Sequence, residues 1–238
     1  MPDFAKRSYQ KELLDRDDIP FPDLERNLIE LDFINTYLGG HSVTIEGLKS
    51  FISDKSKTYT ILDIGSGGGD TLRFIAKWAQ INSIKTSLVG LDYKKEAIDF
   101  ATLKSSMFSN ISFIQSDYKD LGKLEFKPDI IISSLFCHHL NDAELIEYFK
   151  LIQENSRFGF IINDLHRQPF AYFSIKCLTQ LFSSSYLVKN DAPLSVMRGF
   201  SKSELINLFE LANVPLPIIK WKWAFRWLIT SNKSLVKS

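Results

Sequence analysis

The chain of 238 residues carries 45% hydrophobic and 24% charged side chains, which excludes a disordered chain and supplies apolar surface for one sizeable core. Twenty-nine basic against 28 acidic residues leave a formal net charge of +1, so no global field selects nucleic acid or an anionic membrane as partner. Cys137 and Cys177 are too few for a disulfide framework and lack metal-ligand spacing, so both read as reduced, buried thiols and no metal is expected.

The segment 1–20 is polar, without the unbroken apolar stretch of a signal peptide, and no window reaches the length of a membrane span. A cytoplasmic protein without stable membrane insertion is the expectation. Leu24, Leu28, Leu31 and Ile34 recur at helical spacing from Pro22 to Gly39-Gly40, and a second helix is expected over Ser42 to Ser53. Residues 1–57 thus read as an N-terminal helical cap, joined to the rest by the polar stretch from Asp54 to Lys57.

Short β-rich runs then alternate with helical ones. Strands are expected at Tyr59 to Gly65, Ser87 to Tyr93, Ile111 to Asp117, Asp129 to Leu135 and Phe158 to Asn163. Helices are expected over Leu72 to Gln80, Lys95 to Ser105 and Asp142 to Gln153. Apolar strands without strict alternation, separated by helices, imply an α/β fold: a doubly wound, Rossmann-like, mostly parallel sheet. The aromatic and aliphatic stretch from Pro169 to Val188 is too long for a connection and reads as a helical insertion after the fifth strand. Ser201 to Glu204 is a capping-box pattern opening a helix through Leu211, and Ile218 to Trp223 with Phe225 to Thr230 reads as a terminal strand pair.

The sharpest signal is Asp63-Ile64-Gly65-Ser66-Gly67-Gly68-Gly69-Asp70, between the first strand and its helix. Glycine permits the tight turn and lets a ligand touch the backbone. A dinucleotide site wants a third glycine where Asp70 stands, so nicotinamide and flavin are disfavoured. Val89-Gly90-Leu91-Asp92-Tyr93 ends the next strand in an acid roughly twenty residues beyond the loop, placed to accept from ribose hydroxyls.

Asp63 to Gly69 resembles motif I of the class I S-adenosylmethionine-dependent methyltransferases. That resemblance implies a seven-stranded sheet with a C-terminal antiparallel strand, and S-adenosylmethionine as cofactor with S-adenosylhomocysteine as product. It places Asp63, Gly65, Gly67, Gly69, Asp92 and Tyr93 against the cofactor, with Tyr93 packing on adenine. Gln115-Ser116-Asp117-Tyr118 resembles the segment whose acid receives the adenine amino group, and Ser133 and Ser134 would lie beside the methionine end. The methyltransferase domain is then residues 58–238, with an acceptor-site insertion at about 166–200. Ser133 to Leu140 resembles the small-molecule branch related to ubiquinone and menaquinone methyltransferases. Arg26 to Gly40, Asn163 to Arg167 and Arg198 to Ser201 resemble methyltransferases found beside type III polyketide synthases.

Methyl transfer from a sulfonium asks the protein mainly for binding, alignment and exclusion of water. A phenolic acceptor, with an unperturbed pKa near ~10, gains from a positioned base, and histidine suits that task. His138 and His139 follow the fourth strand and Asp164 ends the fifth, so a His138–Asp164 dyad can form at the edge of the cleft. His166, just beyond the fifth strand, is the competing base, and His139 reads as structural. The apolar insertion suggests a hydrophobic small-molecule acceptor. O-methylation of a phenolic or polyketide-like molecule leads. Carbon methylation of a quinone-like ring and a non-catalytic cofactor-binding protein stay open, as does monomer versus homodimer.

Overall fold

Consecutive side chains of the first strand are buried on opposite faces: Ile61 joins a cluster with Leu48 and Ile75, while Leu62 joins another with Phe149 and Phe160. A strand buried on both sides needs helices on both sides. In the computed structural model, which describes residues 2–16 and 18–233, that requirement is met around a seven-stranded sheet. Its strands are β1 (Thr58–Ile64), β2 (Lys85–Asp92), β3 (Ile111–Gln115), β4 (Ile130–Ser134), β5 (Gly159–Leu165), β6 (Ile218–Lys222) and β7 (Arg226–Asn232). Their order is β3-β2-β1-β4-β5-β7-β6; β1 to β5 run parallel, and β7 is antiparallel to both β5 and β6.

Helices α2 (Gly40–Lys49) and α3 (Asp70–Ile81) cover one face, α5 (Asp142–Asn155) and α8 (Lys202–Leu211) the other. On the second face the rings of Phe149 and Phe209 stack at 4.0 Å with both side chains fully buried. Helices α1 (Phe21–Tyr37) and α4 (Lys95–Lys104) meet through Leu24, Leu28, Ala97 and Phe100. Among the described residues no helix is long and apolar enough to cross a membrane.

Helix α5 sets the position of the turn before it, because Asn141 accepts from Glu144 N–H at 3.0 Å while the Glu144 carboxylate accepts from Asn141 N–H at 2.9 Å. Asn141→Ala is expected to cost about 1 kcal/mol, read as a shift in the urea midpoint at constant m.

The structure departs from the sequence expectation in four places. Residues 2–16 are not helical apart from a single turn at Leu13–Asp15, and α2 starts at Gly40 rather than Ser42. Gly39, at φ +75°, turns the chain straight from α1 into α2 without a linker. The insertion is two helices, α6 (Pro169–Phe182) and α7 (Tyr186–Arg198), broken at the Ser183-Ser184-Ser185 run, where all three serines bond to the Glu30 carboxylate through a hydroxyl or an N–H. Cys137 is buried as expected; Cys177 is exposed, because it stands on the outward side of α6.

Candidate active site

The chain reverses strand order between β1 and β4, and in an open α/β sheet that switch opens a crevice beyond the carboxyl ends of the strands. The glycine loop follows β1 there. Gly65, Gly67 and Gly69 sit at φ +69°, +48° and +72°. At two of them a side chain would strike the core: a Cβ on Gly65 would lie 2.4 Å from the Phe136 ring, and one on Gly69 2.7 Å from Phe113. A Cβ on Gly67 meets nothing nearer than Leu28 at 3.7 Å, and the Gly67 N–H donates to Asp92 Oδ2 at 2.9 Å. Gly67 therefore presents bare backbone to open space, with the acid at the end of β2 fixed beside it.

That space is a cavity of about 650 Å³. Asp63, Asp92, Tyr93, Asp117, Tyr118 and Ser134 line it along the ends of β1 to β4, and the side beneath α6 is walled by Ile175 and Leu178. The Asp63 carboxyl is buried and held well above its ordinary pKa, first by desolvation and then by the charges of Asp70 and Asp92; its Oδ1 has no protein partner. Asp92 is also raised by burial, although its oxygens accept from the N–H groups of Gly67 and Lys94. Asp117 caps the turn after β3 by accepting from Lys119 N–H at 2.9 Å, and Tyr118 packs edge-on against Phe136. Ser133 is not brought to the cavity. It is buried with Oγ 3.8 Å from Cys137 Sγ, and Ser134, the next residue along the strand, takes the lining position.

At the ends of β4 and β5 the cavity wall contains His138, whose Nδ1 lies 2.7 Å from Asp164 Oδ1. Both residues are buried. Asp164 also accepts from Leu165 N–H at 2.7 Å. Desolvation pushes its carboxyl up, but the charge and hydrogen bond of His138 outweigh this and hold it below the usual range. His166 is not part of the cavity lining. Its chain segment bridges to Phe200, its ring lies against Trp227 at 4.8 Å, and burial lowers its pKa.

The family model described as "Methyltransferase domain" matches residues 55–196, well over half of the chain. The chain belongs to this methyltransferase family. No curated protein matches it in sequence. The solved structures it resembles include a SAM-dependent methyltransferase of Aquifex aeolicus, at 16% identity and TM-score 0.61, covering 87% of this chain and 97% of that one. Human N-acetylserotonin methyltransferase in complex with SAM is similar at 16% identity and TM-score 0.62, over 90% of this chain and 56% of that one. The plantazolicin methyltransferase with SAH is similar at 20% identity and TM-score 0.52, over 87% and 70%. The present chain is thus a methyltransferase of the Rossmann-like fold, and its neighbours include structures solved with S-adenosylmethionine (SAM) or S-adenosylhomocysteine.

The methyltransferase has a further element at its site that the sequence did not reveal. Residues 2–16 form a strap whose Glu12, Leu14 and Asp15 line the cavity, anchored by its own Arg7 and by Arg198, Asp191 and Lys94 from distant parts of the chain. Arg198 donates to the carbonyls of His138 and His139 at 3.0 and 2.7 Å and also to Gln10 O. Arg7 donates to Leu140 O and pairs with Asp142. Asp191 accepts from the N–H groups of Leu13 and Leu14, and Lys94 donates to the carbonyls of Leu14 and Arg16. The strap brings Glu12 and Asp15 into the cavity wall beside the two histidines. His139 Nδ1 lies 3.0 Å from Asp15 Oδ1, and its pKa is raised: burial opposes this, and Asp15 and Glu12 overcome it. Glu12 and Asp15 are three apart in an otherwise unremarkable polar segment, which gave no pattern to read.

Proposed function

We propose that this methyltransferase moves the methyl group of SAM to an oxygen of an apolar, phenolic small molecule bound beneath α6 and α7. One observation carries the reading: the buried His138–Asp164 pair stands in the same cavity as the glycine loop, where apolar side chains such as Ile175 and Leu178 form the opposite wall. Bound SAM supplies an electrophilic methyl carbon, so the chain's own task is to hold two ligands in line and manage one proton.

The residues fit the cofactor. Gly67 offers bare backbone, Asp92 is fixed with lone pairs toward the space where ribose hydroxyls would sit, and Asp63 offers a buried carboxyl with an unpartnered oxygen to a cationic ligand. Tyr93 and Asp117, on the far side, are placed for the base, with Tyr118 behind them and Ser134 toward the methionine end. Asp164 accepts from His138 Nδ1, which turns Nε2 toward the acceptor side and stabilises the imidazolium formed when that nitrogen takes the phenolic proton. Water is excluded by the strap and by α6 and α7; in this reading the cap of residues 2–57 and the insertion act on a single catalytic domain. The human and plantazolicin enzymes are named for small molecules, which supports an acceptor of that class here.

Calorimetric titration with S-adenosylhomocysteine (SAH), followed by methyl transfer to a panel of hydrophobic phenols with product mapping, tests the reading. SAH binding with O-methylated product is the expected result; carbon-methylated product or binding without turnover would replace it.

Asp63 gives a separate expectation. Its folded pKa is raised above the unfolded value, so its ionisation destabilises the fold as pH rises above about 3.8. Asp63→Asn is expected to stabilise the ligand-free protein by about 1 kcal/mol while weakening SAH binding. Thermal unfolding with and without SAH reads both halves: the midpoint rises in its absence, and the shift produced by SAH shrinks.

A further inference from the structure

We infer that Glu12, His138 and His139 form a binding site for one divalent transition-metal ion at the acceptor end of the cavity. The site itself takes from the proposed function only that this end faces the acceptor; its effect on turnover also rests on His138 as the base.

The geometry carries the inference. His138 Nε2 lies 3.6 Å from Glu12 Oε1, and His139 Nε2 lies 3.8 Å from Glu12 Oε2. Both separations are too long for hydrogen bonds. They are close to what a shared ion demands, since ligands at metal distances of about 2.0–2.2 Å stand about 3.4 Å apart at the tetrahedral angle. All three ligand atoms fall within 4.8 Å of one another.

The outer partners are those of a metal site as well. A metal-binding imidazole has its other nitrogen held by a carboxylate or carbonyl, which sets the tautomer and aims the lone pair. Here both do: His138 Nδ1 rests on Asp164 at 2.7 Å and His139 Nδ1 on Asp15 at 3.0 Å, leaving both Nε2 atoms directed at Glu12. Glu12 is itself fixed, because Ser195 Oγ donates to its Oε1 at 2.7 Å. Its side chain is 3% exposed, as is that of His138. Three carboxylates, Glu12, Asp15 and Asp164, converge on this spot. Facing them, Arg198 reaches only to 3.9 Å from both Glu12 and Asp15, Arg7 is spent on Asp142 and backbone carbonyls, and Arg226, which feels the charge of Asp164, bonds Asn35. A buried carboxylate needs a cation, and the gap between the three ligands is where one fits.

Two imidazoles and one carboxylate exclude a magnesium or calcium preference and suit zinc, iron(II), cobalt(II) or nickel(II). Three protein ligands leave positions open toward the cavity. His138 Nε2 has a single lone pair, so a bound ion and the acceptor's proton compete for it, and metal occupancy regulates the imidazole route.

The test is titration of chelator-stripped, full-chain protein with Zn²⁺, by calorimetry and by metal analysis after gel filtration. One equivalent is expected, weakened at least about 100-fold in Glu12→Gln and His139→Ala. SAH titration of the same variants shows that the cofactor side is intact. No saturable Zn²⁺ binding to the wild type, or equal affinity in both variants, overturns the site and leaves an ion-pair network only. A measurement without variants is the visible spectrum of Co²⁺-loaded wild type: ligand-field bands of a low-coordinate nitrogen–oxygen site are expected, and the spectrum of hydrated cobalt overturns the inference. Saturating Zn²⁺ should lower turnover at least about tenfold, reversed by chelator; unchanged turnover by protein holding one equivalent of Zn²⁺ overturns the competition for His138 Nε2. Stripped enzyme that methylates a phenol but binds no Zn²⁺ sinks this inference alone, whereas protein that binds Zn²⁺ but methylates no phenol sinks only the proposed function.

Discussion

His138→Ala and Asp164→Asn are expected to lower kcat for a phenolic acceptor by about 10²- to 10⁴-fold while leaving SAH affinity nearly unchanged. The two substitutions remove different things. Alanine takes away the nitrogen that receives the proton. Asparagine keeps the shape, but its amide can present either oxygen or N–H to the ring; in the second case Nδ1 must accept, the proton moves to Nε2, and the wrong tautomer faces the acceptor. A second readout separates catalysis from folding. The Asp164 carboxyl sits below its ordinary pKa, so its stabilisation is present above about 3.8 and is lost as pH falls through the folded value. In Asp164→Asn the acid limb of the stability profile should flatten. Arg226 is buried, with a pKa lowered to about 10 by burial and supported by the charge of Asp164, so the same variant should also lose some stability at neutral pH. Assays below the lowered melting temperature isolate the catalytic effect; full activity in either variant would remove the dyad from the mechanism.

The dyad was legible in the sequence because His138 and Asp164 stand at the carboxyl ends of two apolar runs, and adjacent parallel strands bring such ends together whatever lies between. The glycine loop and Asp92 were legible for the same reason. Ser133 and Ser134 could not both face the cavity, since neighbouring residues of a strand point to opposite sides, and only Ser134 does. His166 does lie just beyond β5, the position that made it the competing base. The strand stops at Leu165, however, and the bridge to Phe200 carries the ring to Trp227 instead. The strap was out of reach: Asp15 meets His139 across 124 positions of chain, and neither periodicity nor composition marks a contact held by buried arginines at such separations. The polar segment 1–20 reads from sequence as part of a helical cap, whereas Arg7, Glu12 and Asp15 within it bond to the carbonyls of Arg198 and Leu140, to Ser195 and to His139.

Gly67→Val should reduce SAH affinity at least about 100-fold, roughly 2.7 kcal/mol, without unfolding the protein. The second half of that statement distinguishes it from its neighbours. Any side chain on Gly65 must displace the Phe136 ring, and on Gly69 that of Phe113, so loss of binding in those variants would not separate a damaged core from a blocked site. At Gly67 an added Cβ meets only Leu28, at ordinary contact distance. The cost then has two parts. A left-handed backbone at φ +48° penalises a residue with a Cβ by about 1–2 kcal/mol, more when it is β-branched, and the branched side chain enters the space the ligand needs. Gly67→Ala carries the first part with little of the second, so it should bind about tenfold more weakly at most, while valine also loses the close approach, although both keep the backbone N–H that donates to Asp92. Calorimetry with SAH on the two variants, beside their melting curves, resolves the steric term from the backbone term. Equal, near-normal affinity in both would mean that the cofactor does not lie against this loop.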